Sequence, residues 1–213
     1  MNRTTTAALR GLLTTALTLV PVAALAVPAT AAAPGTTVTY QCRGSAAGQT
    51  ADFELNQPLE TSAPATVAPG GALTVVLDPA PIRIPGVVGG HKVKEVRNVK
   101  LQVAVPANAS YASASLSGGS GLNSTPSVDH EDGDVVVTIP GPIKGGADIE
   151  LPTLSLDLTA GDRGVIETRL TGSDHDNPGL TFTATIQVGV FPVNAPTTCY
   201  PNPSPTLTST TIG

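Results

Sequence analysis

The sequence predicts an all-β protein, an antiparallel immunoglobulin-like β-sandwich that follows an N-terminal signal peptide. Three observations carry that prediction. Gly 22 and Pro 20 punctuate a chain of 213 residues, and an interior proline costs a helix ~3 kcal/mol and a glycine ~1 kcal/mol relative to alanine. The longest proline-free stretch beyond the leader, residues 153–177, still contains Gly161, Gly164 and Gly172, so a long helix has nowhere to form. Between these breakers lie short runs rich in Val, Ile, Thr and Tyr. Their apolar residues recur at every second position, the period of a strand with one buried face.

Residues 1–33 read as an export signal. Arg3 and Arg10 supply a positive start, residues 11–27 are apolar and uncharged, and Ala29-Thr30-Ala31 offers small side chains at the −3 and −1 positions of a signal peptidase. Cleavage after Ala31 or Ala32 is favoured, because cutting after Ala33 would leave Pro34 at +1. An uncleaved anchor is the competing reading. Its apolar run falls short of the ~20 residues of a membrane span, and Pro21 and Pro28 interrupt its end. The two arginines are not adjacent, which implies the general secretory route. No cysteine sits at the end of the leader where a lipid anchor would need one, and residues 205–213 show no sorting motif. The mature protein is therefore expected outside the cytoplasm, secreted or held at the cell envelope by non-covalent contacts, with no membrane span. Loss of Arg3 and Arg10 would make the net charge of −5 more negative by two.

The predicted strands follow in order. Residues 36–42 are rich in Thr, Val and Tyr. Ala51, Phe53 and Leu55 alternate with Asp52 and Glu54. Residues 72–78 leave a Pro69-Gly70-Gly71 turn. Val99, Leu101, Val103 and Val105 share one face, with Lys100 and Gln102 on the other. Residues 110–116 come next, then Ser127–Glu131 and Asp134–Ile139 on either side of Asp132-Gly133, a two-residue hairpin turn. Residues 149–158, 164–171 and 180–190 complete the set; in the last, Leu180, Phe182, Ala184, Ile186, Val188 and Val190 lie opposite Thr181, Thr183, Thr185 and Gln187. The expected organisation is one sandwich over residues 34–200 and a flexible polar tail over 201–213. Two domains divided near Pro106 are the alternative.

Cys42 and Cys199 are the only cysteines, 157 positions apart. In an exported protein an even pair reads as a disulfide, here one that clasps the first strand to the tail. Two free thiols are the other reading. Antibody-type immunoglobulin domains are not indicated, since Trp is 0 and the cysteine spacing is far too long. Charged residues at 13% and hydrophobic residues at 40% exclude a coiled coil and whole-chain disorder. The negative net charge and the lack of interleaved aromatics exclude a nucleic-acid binder.

Three clusters are candidate sites. Asp129, Glu131, Asp132 and Asp134 flank His130, and Asp174 and Asp176 flank His175. Carboxylates this dense could ligate calcium through hard oxygens, alone or as one joint site. The EF-hand pattern fails, however, and both segments also read as solvated turns, Asp132-Gly133 in a hairpin and Asn177-Pro178-Gly179 ahead of a strand. Lys92, Lys94, Arg97 and Lys100 crowd cations into nine positions, where an anionic envelope polymer or an acidic protein could bind. They could equally be the lysines of a solvated edge strand. Enzyme motifs are missing: Gly118-Gly119-Ser120-Gly121-Leu122 lacks the last glycine of a nucleophile elbow, and neither HExxH nor a P-loop occurs. No cofactor is implied beyond calcium.

Thr39-Tyr40-Gln41-Cys42, Ala68-Pro69-Gly70-Gly71, Arg97-Asn98-Val99, Pro140-Gly141-Pro142 and the closing Pro196-Thr197-Thr198-Cys199-Tyr200-Pro201 together resemble secreted, immunoglobulin-like β-sandwich proteins of actinobacteria. The resemblance covers most of residues 37–212, implies the fold, and lends no activity or catalytic residue. The expected function is a secreted, non-enzymatic interaction or structural role at or outside the cell envelope. The alternatives are a secreted hydrolase-type enzyme, which would gather His91, His130 or His175 with carboxylates in a cleft, and a calcium-stabilised adhesion-like module.

Overall fold

Every regular element of the computed structural model, which describes residues 30–213, is a strand. The chain opens with a long hairpin, β1 (Thr30–Ala46) and β2 (Gln49–Pro64). There follow β3 (Ala72–Pro79), β4 (His91–Ala104), β5 (Ala109–Ser117), β6 (Ser127–Glu131) and β7 (Asp134–Ile139). The rest are β8 (Thr153–Ala160), β9 (Gly164–Thr168), β10 (Leu180–Val188), β11 (Phe191–Pro201) and β12 (Thr208–Ile212). The main sheet runs β5-β8-β3-β2-β1-β11-β10-β4-β7-β6, antiparallel throughout. It joins residues from before and after Pro106 in one continuous path.

The sheet folds over until its two ends meet. Tyr111 of β5 stacks on His130 of β6 with ring centroids 4.1 Å apart and planes 15° from parallel. At one end of the enclosed interior Leu73, Val75 and Leu77 of β3 and Leu154, Leu156 and Leu158 of β8 are at most 4% exposed. Each such side chain stabilises the fold by ~1.5–3 kcal/mol through removal from water. A small second sheet of β9, β12 and Thr66–Val67 packs onto this end through Ile166 and Ile212.

Cys42 of β1 stands directly opposite Cys199 of β11, and the two form the expected disulfide with Cα atoms 4.1 Å apart. Asp132-Gly133 is the expected two-residue turn, with φ of 51° and 90° and Glu131 paired to Asp134. Such positive angles fit the twist of a tight hairpin.

Three elements depart from the sequence expectation. β11 was hidden by Pro192 and Pro196. These prolines fall where only β10 pairs with the strand, so their missing N–H groups interrupt no ladder on the free side. The tail does not fray from Thr208 onward. Its apparent polarity conceals an alternation in which Thr208, Thr210 and Ile212 turn inward, and Leu207 is 3% exposed. The Thr210 hydroxyl donates to the Pro64 carbonyl at 2.7 Å and the Thr211 amide to that of Ala65 at 3.0 Å. Nor is the Lys92–Lys100 stretch a sheet edge, because β4 pairs with β10 on one side and with β7, Val87–Val88 and Ile143–Lys144 on the other. Most of the expected leader, residues 1–29, lies outside the described residues; residues 30–33 extend β1 alongside 61–64.

Candidate functional site

Away from the packed end, the interior is hollow. The inward residues of β10 and β2, among them Leu180, Phe182, Ile186, Phe53 and Leu55, are only half-buried although they face the middle of the molecule. They line an apolar cavity of about 560 Å³, within the ~300–1,000 Å³ of small-molecule sites. Small side chains leave the space: Gly44 stands opposite Ala51 and Thr197, Ala184 stands opposite Ala195, and Ala46 lies two residues beyond Gly44. The lining follows β1 from Val38 to Ala46. Tyr40 is among its polar contributors, and burial raises the phenol's pKa so that it stays neutral.

One wall of the cavity is thin. Residues 80–90 cross over it, held by two-residue pairings of Ile82–Arg83 with Asp148–Ile149 and of Val87–Val88 with His91 and Lys92. Ile82, Ile84, Pro85 and Val88 face inward from this segment. The mouth is ringed by three two-residue hairpin turns: Ala47-Gly48, Gly89-Gly90 and Gly189-Val190. A Cβ on Gly89 would lie 3.5 Å from that of Ala51, and His91 Nδ1 lies 3.3 Å from the Gln187 carbonyl, so the three turns sit together. Val190 and Phe191 are 80% and 71% exposed and Val87 is 61% exposed.

The predicted cations do share a face. Val93, Val96, Val99 and Leu101 point into the cavity, which leaves Lys92, Lys94, Arg97 and Lys100 outside. Their uneven spacing is absorbed by two bulges against β10, one of them at Asn98, whose φ is 53°. Arg97 donates to Glu95 at 2.6 Å, and both border a shallow outer groove with Lys94, Asn98, Thr183, Thr185, Pro192 and Asn194.

The acidic residues stay on two separate turns. Asp129, Glu131, Asp132 and Asp134 belong to the β6–β7 hairpin. Asp174 Oδ1 accepts from the Asp176 and Asn177 amides at 2.9 and 2.8 Å, and Oδ2 accepts from the Ser173 hydroxyl. The Asn177 amide is the main cause of a carboxyl pKa held below the ordinary range. That carboxylate closes its own loop, with Asp176 exposed beside it. Among the described residues no three His, Cys, Asp or Glu side chains gather as a metal site. The histidines are dispersed: His91 contacts β10, His130 stacks on Tyr111, and His175 meets the edge of Tyr200 with centroids 5.1 Å apart.

Neither the cavity nor its rim was among the sequence candidates. The available signals were small residues at inward positions and apolar ones, Val190 and Phe191, at a turn, where Gly, Asn, Asp or Ser are usual.

No protein-family model matches the chain, and no curated protein matches it. Its fold is similar to the crystal structure of a "Putative membrane anchored protein" from Corynebacterium diphtheriae, with a TM-score of 0.56 and 18% identity. The match covers 84% of this chain and 38% of that one. The chain thus spans well under half of that protein, and the likeness is one of fold.

Proposed function

We propose that this is a non-enzymatic binding protein, working at or outside the cell envelope, whose interior channel holds an apolar ligand built on one aliphatic chain. The observation that carries the reading is the cavity of about 560 Å³, lined chiefly by Val, Leu, Ile, Phe and Ala side chains. A polyhydroxylated ligand would leave its polar groups unpaired against such walls. Two observations support the location: the disulfide, a bond that persists in oxidising compartments, and the fold shared with a protein described as membrane anchored.

The test is a titration of protein recovered from exporting cells with fluorescent fatty acids of increasing length, together with mass spectrometry of its solvent extract. Affinity should rise about fourfold per methylene, from ~0.8 kcal/mol for each buried CH₂, until the channel is full, and Ala184→Phe should abolish it. Absence of saturable uptake, or uptake indifferent to Ala184→Phe, would defeat the proposal.

The outer face of β4 supports a second reading that is compatible with the first. Lys94 and Arg97, which border the outer groove, together with Lys92 and Lys100 on the same face, would bind an anionic envelope polymer. Binding of such a polymer should weaken with salt and with each Lys→Ala change.

A further inference from the structure

We propose that the mouth of the channel is a docking surface for an anionic lipid bilayer, through which the cavity exchanges its ligand. The proposal rests on the reading of the cavity as an aliphatic-chain site, and its partner is specified by the rim. Three of the four large apolar side chains that stand exposed among the described residues are Val87, Val190 and Phe191. All three belong to the hairpins that ring the opening. Val190 occupies the turn position itself and Phe191 is the first residue of β11, paired with Val188, so both stand exposed at the end of the sheet. Solvated turns of this kind are normally polar; apolar groups at such tips are suited to insertion among acyl chains.

The charge at this end fits the same partner. The chain carries 16 acidic residues, yet residues 45–51, 86–92 and 187–192, which form the three tips, include none. They include His91 and Lys92, and Lys94 follows on the outer face of β4. A protein that is negative as a whole therefore presents an uncharged-to-cationic end, which anionic headgroups attract. The rim is continuous with the cavity wall: Ala46, Ala47, Val88, Gly89, His91 and Val188 border both. An acyl chain leaving a bilayer between the inserted tips would enter the channel without crossing water.

The test is flotation of the protein, in the form that exporting cells release, with vesicles of phosphatidylcholine alone or mixed with phosphatidylglycerol. Wild type should float with the anionic vesicles and less with the neutral ones. The double change Val190→Glu and Phe191→Glu should lower anionic-vesicle binding by about tenfold or more, and Lys92→Glu should remove the preference for the anionic mixture. Both sites are exposed, so each variant should keep its far-UV dichroism and its uptake of fluorescent fatty acid in vesicle-free solution. Wild type that ignores anionic vesicles, a double variant that floats unchanged, or a rim whose apolar tips serve only to pair two copies of the chain would overturn the proposal. Flotation that depends on Phe191 in a protein that takes up no fatty acid would uphold the docking surface and refute the channel reading instead.

Discussion

Ala184→Leu tests whether the interior is hollow, because the sign of its effect differs between a void and a packed core. Ala184 sits in the middle of β10, 9% exposed and facing the cavity. Leucine adds three carbons. Moved from water into empty apolar space at ~0.8 kcal/mol each, they contribute about 2.4 kcal/mol, offset by ~0.5–1 kcal/mol of lost rotamer freedom. A net gain of roughly 1.5 kcal/mol follows. Ala160→Leu is the matched control at the packed end, where Ala160 is 5% exposed and belongs to the dense core. Overpacking there should cost ~1–3 kcal/mol. Urea unfolding of delipidated protein reads both, and with a slope of ~1–3 kcal/mol per molar the two midpoints should move in opposite directions. Ala184→Leu should also weaken fatty-acid uptake while Ala160→Leu leaves it alone. Equal destabilisation by the two leucines would refute the hollow interior.

Three further outcomes are expected. Replacing both Cys42 and Cys199 by alanine should lower stability by up to about 5 kcal/mol, the chain-entropy value for so long a loop, read as an earlier urea midpoint that matches wild type under reductant. Leu207→Ala should cost ~2–4 kcal/mol in the same assay, whereas a frayed tail would show no change. Asp157 accepts hydroxyl hydrogen bonds from Thr74 at 2.7 Å and Ser113 at 2.8 Å, chiefly the first of which holds its pKa below the ordinary value. A depressed folded pKa means stability that is complete above the unfolded value of about 4 and lost as pH falls through the folded one. Melting temperatures taken from pH 6 down to pH 2 should therefore fall less steeply for Asp157→Asn than for wild type.

Much of the fold was legible because strand alternation is local. Val99, Leu101 and Val103 announce their face without reference to any partner, and Asp132-Gly133 announces its turn. The tail misled because threonine serves either face: Thr210 is 1% exposed only because the Pro64 carbonyl accepts its hydroxyl, a partner 146 residues away. The cationic quartet was visible as a cluster, but its shared face was not. Lys92, Lys94 and Lys100 have even numbers and Arg97 an odd one, and only the bulges that form against β10 bring them into line. The channel was least legible of all. It is made of missing volume, and Gly44, Ala51, Ala184 and Ala195 create it only after β1, β2, β10 and β11 have paired.

The contact between Tyr111 and His130 bears on how the protein behaves in a crowd. A ten-strand ribbon laid open would offer two unfinished borders of amide and carbonyl groups, each a template onto which another molecule could graft a strand and begin a fibre. Because the ribbon's first and last strands are turned toward one another, each border is shielded by its counterpart. The aromatic clasp thus works as a hem: it keeps a long, sheet-rich chain from knitting itself to its neighbours.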